Sequence, residues 1–421
     1  MKLELIAVVV MSLIWPAAIG WADEATPSAA LTLEECYQLA LKRSEEIAIH
    51  QELIKETEGR FAQALSAILP RASFALSEKR QDGSGGSSFT LKEIPERKFV
   101  FTQPLFAGFK EFAAMAASRA ERRQRRFEKT KAELILMVDV SNAFYFLQQQ
   151  RKDRQAMETI RETLHGRLQE LADREQLGRS RASERASAQA QLRRVEAQIE
   201  QAKSDEATAE HLLAFLTGLP FVGGLQDPQE GGPALERVEA YLAKVDRRPD
   251  VNATEQAWRV AQKQVAVARA TLFPTVDAEA NYYTKRVGVT QDIDWDATVT
   301  VDVPIFQGGQ ALGATKEASA KAREAKLRYD ETQRAAELDI RDAHTKAGAA
   351  LGRLAALEQA LEAAEDSYRL QVEDYRHSLV NNLEVLQALQ ALEDARRDRI
   401  AAYYDAKRFY WALQASVGER L

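Results

Sequence analysis

The chain is poor in the residues that staple or interrupt a fold. One cysteine, Cys36, stands among 421 residues. That rules out an intramolecular disulfide, a thiol pair or a zinc-type ligand cluster, so stability has to come from packing and assembly. Glycine and proline are scarce, at 20 and 11, which argues against a loop-rich or disordered chain and for long polar-faced helices. There is no basic surplus: 57 Lys and Arg face 63 Asp and Glu, for a formal charge of −6. Holding nucleic acid means neutralising phosphates, which needs the opposite balance, so no nucleic acid partner is expected. Beyond Ala22 no stretch approaches about 18 consecutive apolar residues, so no transmembrane helix is expected. If the chain crosses a membrane, it does so with strands.

What is present begins with an export signal. Lys2, an apolar run from Leu5 to Ile14, and Gly20-Trp21-Ala22 ahead of Asp23-Glu24 predict a signal peptide over 1–22, cleaved after Ala22. The run is too short for a retained anchor.

The remainder is written twice, with a shift of about 200 residues. Leu69-Pro70 recurs as Phe273-Pro274, Gln103-Pro104-Leu105-Phe106-Ala107-Gly108 as Val303-Pro304-Ile305-Phe306-Gln307-Gly308, and Thr217-Gly218 as Val417-Gly418. Each copy reads as a helix, two short strands around a loop, then two very long helices. The copies span 23–220 and 248–421, joined by a Gly/Pro-rich connecting segment at 221–247. Pro104, Gly108, Pro304, Gly308 and Gly309 mark the strand-to-helix turns.

From Leu105 to about Leu177 there is no proline, and in the second half Leu354, Leu357, Leu361, Ala364 and Tyr368 keep three-and-four spacing. A helix of that length reaches about 100 Å, and only a coiled-coil-like bundle buries its stripe. Period-two alternation predicts strands at about 276–286 and 296–304, with Val276, Ala278, Ala280 and Tyr282 on one face, and Val299, Val301 and Val303 likewise. Weaker matches lie at about 73–79 (Phe74, Leu76) and 97–104 (Phe99, Phe101). One apolar and one polar face suits a membrane barrel wall, and alternation alone equally suits a soluble half-buried sheet. The smallest membrane barrels need about eight strands, and lipid tolerates no open edge. Membrane-spanning strands here would therefore have to be pooled by several copies.

Taken together, these features resemble the TolC family of outer-membrane efflux channels over essentially the whole chain after the signal. The resemblance is carried by Arg248-Pro249-Asp250-Val251 followed by Ala268-Arg269-Ala270-Thr271-Leu272-Phe273-Pro274, by Val303-Pro304-Ile305-Phe306-Gln307-Gly308-Gly309, and by Tyr375 followed by Leu383-Glu384-Val385-Leu386-Gln387-Ala388. It implies a mainly α protein with a small β part: a long helical tunnel in the periplasm, and four strands per protomer in a shared trimeric β-barrel. It implies a homotrimer in outer-membrane lipid, docked to a periplasmic adaptor (a membrane fusion protein) and an inner-membrane transporter. Phe221–Asp246 is the candidate for the family's mid-length girdle.

By position, the periplasmic bends are Leu177-Gly178-Arg179-Ser180 and Ser378-Leu379-Val380, the adaptor-docking tips. Ser378 replaces the usual glycine, so the second bend is expected to be built differently. The family's acidic ring maps onto Glu384 and Gln387, one carboxylate short. Val380 replaces the basic residue expected two positions past the bend, so the implied ionic lock lacks its cation, while Tyr375 and Glu184 occupy matching gate positions. Converging copies of Glu384 would make a cation-attracting constriction, the alternative being an ordinary solvated glutamate.

Other signals carry little. The run Arg119, Arg122, Arg123, Arg125, Arg126, Lys129 and Lys131, interleaved with Glu121 and Glu128, reads as a solvated helix face near anionic headgroups. His50, His165, His211, His344 and His377 lack metal-ligand spacing, and Gly83-Ser84-Gly85-Gly86 lacks a phosphate loop's Lys-Ser/Thr ending and reads as a mobile extracellular loop. No nucleophile, base and orienting group lie together, so no catalytic residue, cofactor or metal is expected. The expected function is the outer-membrane channel of a tripartite efflux or type I secretion system; the alternative is a periplasmic coiled-coil scaffold or adaptor that never enters a bilayer.

Overall fold

A computed structural model describes residues 30–82, 91–220, 222–227 and 234–420. The signal at 1–22 and the Gly83-Ser84-Gly85-Gly86 loop lie outside the described residues.

The first half runs α1 (Leu33–Arg43), α2 (Glu45–Ser66), β1 (Arg71–Arg80), β2 (Glu93–Ala107), α3 (Lys110–Gln176) and α4 (Ala182–Thr217). The second runs α5 (Val238–Leu242), one turn of 3-10 helix at Val245–Arg247, α6 (Pro249–Ala270), β3 (Thr275–Lys285), β4 (Trp295–Asp302), α7 (Gln310–Arg376) and α8 (Asn382–Ser416). Local chemistry sets the ends. Thr32 and Glu35 form a reciprocal capping box that starts α1, and Ser44 both ends α1 and caps α2. Pro249 opens α6 at a position where its missing N–H costs nothing.

Helices α3 and α7 have 67 residues each, about 100 Å at 1.5 Å per residue. Each turns back at its far end into a partner of about half its length, α3 into α4 and α7 into α8. Helices α2 and α6 pack on α3, and α6 also packs on α7, so the upper part of the bundle is shared between the halves. Among the described residues no helix is apolar and long enough to cross a bilayer. One apolar core lies at mid-length around Cys36, Tyr37, Met137, Phe144, Tyr145, Leu147 and Leu213; another runs towards the bends through Met157, Ile160, Leu164, Leu192, Val195 and Leu389. The two long helices are unequally covered: α3 buries Met137, Val140, Phe144 and Leu147 along its middle, whereas α7 leaves Leu327, Leu338 and Leu370 exposed.

The four strands form one antiparallel sheet in the order β1-β2-β3-β4, with β1 and β4 as edges. Register joins the apolar positions of all four strands on one face. Phe74 faces Phe99, Phe99 faces Tyr282 and Tyr282 faces Trp295, an aromatic rung across the sheet, and Ala72, Phe101, Ala280 and Ala297 form the next. The opposite face is polar. There Tyr283 Oη donates to Asp296 at 2.7 Å, Asn281 Nδ2 donates to Asp296 at 3.0 Å, and Lys98 lies 3.4 Å from Glu96.

At the sheet's lower end the structure corrects two expectations. The long helix does not begin at Leu105, because β2 stays paired with β3 through Ala107. Pro104 is likewise not part of a turn: it lies inside β2 beside a register shift between Pro104 and Phe106, where a residue without an N–H is tolerated. The turn itself is Gly108-Phe109, both with positive φ, and its counterpart is Gly308-Gly309. Pro304 lies in the short irregular stretch between β4 and α7.

The described part of the connecting segment lies at mid-length. Leu31 and Leu225 form a parallel bridge, and Arg151 of α3 donates to the Gly223 and Val222 carbonyls at 2.7 and 3.0 Å.

Candidate functional site: the two helical bends

The far ends of the hairpins carry most of the residues singled out in the sequence. Both bends are Schellman turns of the same construction. In the first, Gly178 N donates to Glu175 O at 2.9 Å and Arg179 N to Arg174 O at 2.8 Å; in the second, Ser378 N donates to Tyr375 O at 3.0 Å and Leu379 N to Asp374 O at 2.9 Å. Gly178 has φ +69 and Ser378 φ +62. The expectation that the second bend is built differently is therefore overturned: serine takes the left-handed conformation that glycine takes in the first, because two turn hydrogen bonds hold it there.

Behind the bends, four helices meet on one buried pair. Arg167 of α3 and Asn382 of α8 are both almost fully buried. Arg167 Nε and Nη2 donate to Asn382 Oδ1 at 3.0 and 2.9 Å, and its Nη1 donates to Glu170 at 2.7 Å. Asn382 Nδ2 in turn donates to the Glu184 carbonyl of α4 at 3.3 Å. The Arg167 guanidinium lies 3.8 Å from the centre of the Tyr375 ring of α7, and Arg174 lies 4.7 Å from it. Glu170 holds both arginines, one on each carboxylate oxygen, with Arg174 at 3.1 Å. Buried in this way, a guanidinium with a full set of partners is a strong tie.

The gate candidates thus divide. Tyr375 belongs to the buried tie, and Glu184 joins it through its backbone while its carboxylate accepts from Ser180 Oγ at 2.7 Å. Glu384 is exposed and closes a capping box at the start of α8, accepting from Asn381 N at 2.8 Å. Gln387 is exposed one turn further on, and Leu177, Arg179 and Leu379 stand out at the bends. Val380 is half-buried against the apolar core below. The sequence reading missed Arg167, Arg174 and Asn382. One signal was available: Ile160, Leu164, Arg167 and Leu171 keep three-and-four spacing, which puts an arginine in the buried stripe.

Above the tie, further contacts run up the antiparallel seam between α3 and α8. Asp153 accepts two bonds from Arg397 at 2.8 and 3.0 Å, Trp411 Nε1 donates to Tyr145 Oη at 3.2 Å, and Arg420 lies 2.8 Å from Glu133. Between the tie and the Arg397 pair sits Glu393, buried, with one carboxyl oxygen that has no hydrogen-bond partner among the described residues. Burial pushes its carboxyl above the ordinary value.

Residues 243–419 match the family described as outer membrane efflux protein. The chain is 24% identical over 402 residues to the alkaline protease secretion protein AprF of Pseudomonas aeruginosa, spanning 89% of this chain and 82% of that one. Among solved structures, CusC superposes with a TM-score of 0.80 at 16% identity, covering 92% of both chains. VceC from Vibrio cholerae gives 0.78 at 22%, covering 92% of this chain and 96% of its own.

Proposed function

We propose that this chain is a member of the outer membrane efflux protein family and works as the trimeric conduit of a tripartite export assembly, a reading supported by the family match over 243–419, the similarity to AprF and the shared fold of CusC. In that assembly a periplasmic adaptor and an inner-membrane transporter deliver cargo to it, and passage through it is passive. The protein sits in the outer membrane with its helices in the periplasm. The observation that carries the trimeric reading is the sheet: four strands with one apolar face and two unpaired edges. So few strands cannot close a barrel, and their edges cannot stay open in lipid. Edge β1 of one copy therefore pairs with edge β4 of the next, turning the aromatic rung to lipid and the Lys98, Asn281 and Asp296 face to the lumen. The incompletely covered face of α7 is closed by the neighbouring copy in the same way.

In this reading 1–22 is removed on export, 23–220 and 248–421 are the two repeats, and 221–247 contributes the girdle at mid-length. The bends are the docking end for the adaptor. The Arg167, Asn382 and Tyr375 tie keeps the hairpins together there, in place of the cation absent at Val380. Glu384 and Gln387 face the axis, and the conduit catalyses no reaction.

The test is fractionation combined with heat-modifiable migration. Unboiled protein in mild detergent is expected in the outer-membrane fraction at a multiple of its monomer mass, collapsing to monomer on boiling. Monomer in the periplasmic extract would overturn the proposal in favour of a soluble scaffold.

A further inference from the structure

The two bends share one backbone and differ only in side chains. They lie about 200 residues apart in the repeat, make the same pair of turn hydrogen bonds, and lead into N-caps of the same extended conformation, Arg181 at φ −93 and Asn381 at φ −95. Anything that meets this end of the molecule finds the same shape twice per protomer. It can tell the two apart only by chemistry.

That chemistry differs at the apex. Residues 174–185 hold four arginines against two glutamates, whereas 374–385 hold one arginine against Asp374 and Glu384. Of the four arginines, Arg174 is engaged by Glu170 and Arg185 by Glu175 at 2.6 Å. Arg179 and Arg181, at the apex, are exposed and make no ion pair among the described residues. At the second bend the same two positions are Leu379, 73% exposed, and Asn381, whose side chain is turned back onto the start of α8; Leu383 beside it is 59% exposed. Both bends carry an exposed leucine and a cationic group, Leu177 with the arginines at the first and Leu379 with Arg376 at the second; what separates them is the apex, where Arg179 and Arg181 of the first are replaced by Leu379 and Asn381, with Leu383 adding aliphatic surface beside them. Covering Arg179 and Arg181 with groups that accept no hydrogen bond leaves buried cations without partners, which is costly, and among acceptors a carboxylate supplies the countercharge as well. Covering Leu379 and Leu383 is favourable only against apolar groups.

We infer that the two bends are chemically distinct docking points, and that the protein partner they fit presents carboxylates to Arg179 and Arg181 and aliphatic side chains to Leu379 and Leu383. This rests on the reading that the bends dock a periplasmic partner, and it adds what that partner carries. A partner with uniform chemistry would satisfy only alternate bends around the trimer.

The sequence offers a clean test, because no lysine occurs between Lys152 and Lys203 or between Lys346 and Lys407. In intact cell envelopes, Arg179→Lys keeps the charge and places one amine at the first bend, and Leu379→Lys places one at the second. A water-soluble carbodiimide then activates carboxyl groups, and any carboxylate in direct contact with the new amine is joined to it as an amide with loss of water. The expected result is a cross-linked product from Arg179→Lys at least tenfold more abundant than from Leu379→Lys, and none at either bend in the unsubstituted protein. Mass spectrometry should place the bond on an Asp or Glu of another protein. Equal yields from the two positions, or no product from either while the protein still fractionates as an outer-membrane oligomer, would overturn the inference and leave the channel reading standing. Loss of the oligomer from the outer membrane in the unsubstituted protein would instead overturn the channel reading.

Discussion

Ser378 is a side chain in a conformation made for glycine: φ +62, in open surroundings at the apex of a bend. A residue with a Cβ is strained there by roughly 1–2 kcal/mol, and glycine returns part of that gain through its larger freedom in the unfolded chain. Ser378→Gly is therefore expected to stabilise the second hairpin by about 0.5–1 kcal/mol, read as a rise in the urea midpoint of the purified protein. Glu393 makes a prediction in pH. Arg397 and Asp394 on its own helix, Asp153 on α3 and Arg194 on α4 are the charges around it, and burial is the largest influence, raising its pKa above 4.5. A raised folded-state pKa means that the neutral form suits the seam. Its contribution is complete below the unfolded value and is lost as pH rises through the folded one. Glu393→Gln should match the parent near pH 4 and exceed it in denaturant midpoint near pH 8; parallel pH profiles would show that the carboxyl is not held neutral by the seam. Legibility at this scale was uneven. Asn381 and Glu384 form a capping box visible as Asn-x-x-Glu, yet Glu384 drew attention by its position in the family instead. Arg167 stood out of its stripe, but nothing local ties it to Asn382 and Tyr375, some 200 residues away.

At the scale of elements, alternation in the sequence was enough to find all four strands and their apolar faces, because the period of two is a property of each strand alone. Register is not. The shift beside Pro104 and the continuation of β2 to Ala107 depend on pairing with β3, a partner far along the chain. The junctions below the sheet show the same limit. Gly108 and Gly308 look equivalent in the repeat, and both have φ near +60. A Cβ on Gly108 would meet Ala270 O at 2.6 Å and Phe273 Cβ at 2.9 Å, while one on Gly308 meets nothing within 4 Å. The first junction is packed against the end of α6 and the second is open. Gly308→Ala thus bears only the strain of positive φ, on the order of 1 kcal/mol. Gly108→Ala adds an overlap with fixed backbone and is expected to cost about 3 kcal/mol or more. The readout is the yield of heat-modifiable oligomer, nearly normal for Gly308→Ala and sharply reduced for Gly108→Ala. Equal yields would mean that the α6 end yields readily.

Across the whole molecule, the two halves are fastened to each other along α3 and α8, and the fastening ends in a tie that touches all four lower helices. The general plan of helices and sheet was legible because it is repeated; this tie was not, because it breaks the repeat. Asn382 has Ala182 as its counterpart, so the second copy alone supplies the acceptor. Arg167 and Asn382 should consequently act as one unit. Removing Asn382 leaves a buried guanidinium short of an acceptor, and removing Arg167 leaves a buried amide oxygen short of donors; either loss is expected to cost about 2–4 kcal/mol of hairpin association. Once either is gone the other has little left to lose, so Arg167→Ala with Asn382→Ala should cost far less than the two single effects added together. The measurement is single-channel conductance in planar bilayers, with separation of the hairpins expected to raise the open level or its occupancy. Each single substitution should increase conduction, and the double should resemble the stronger single. Effects that simply add would mean that the two residues hold the bends through separate contacts. Unchanged conduction in all three would place the constriction elsewhere along the conduit.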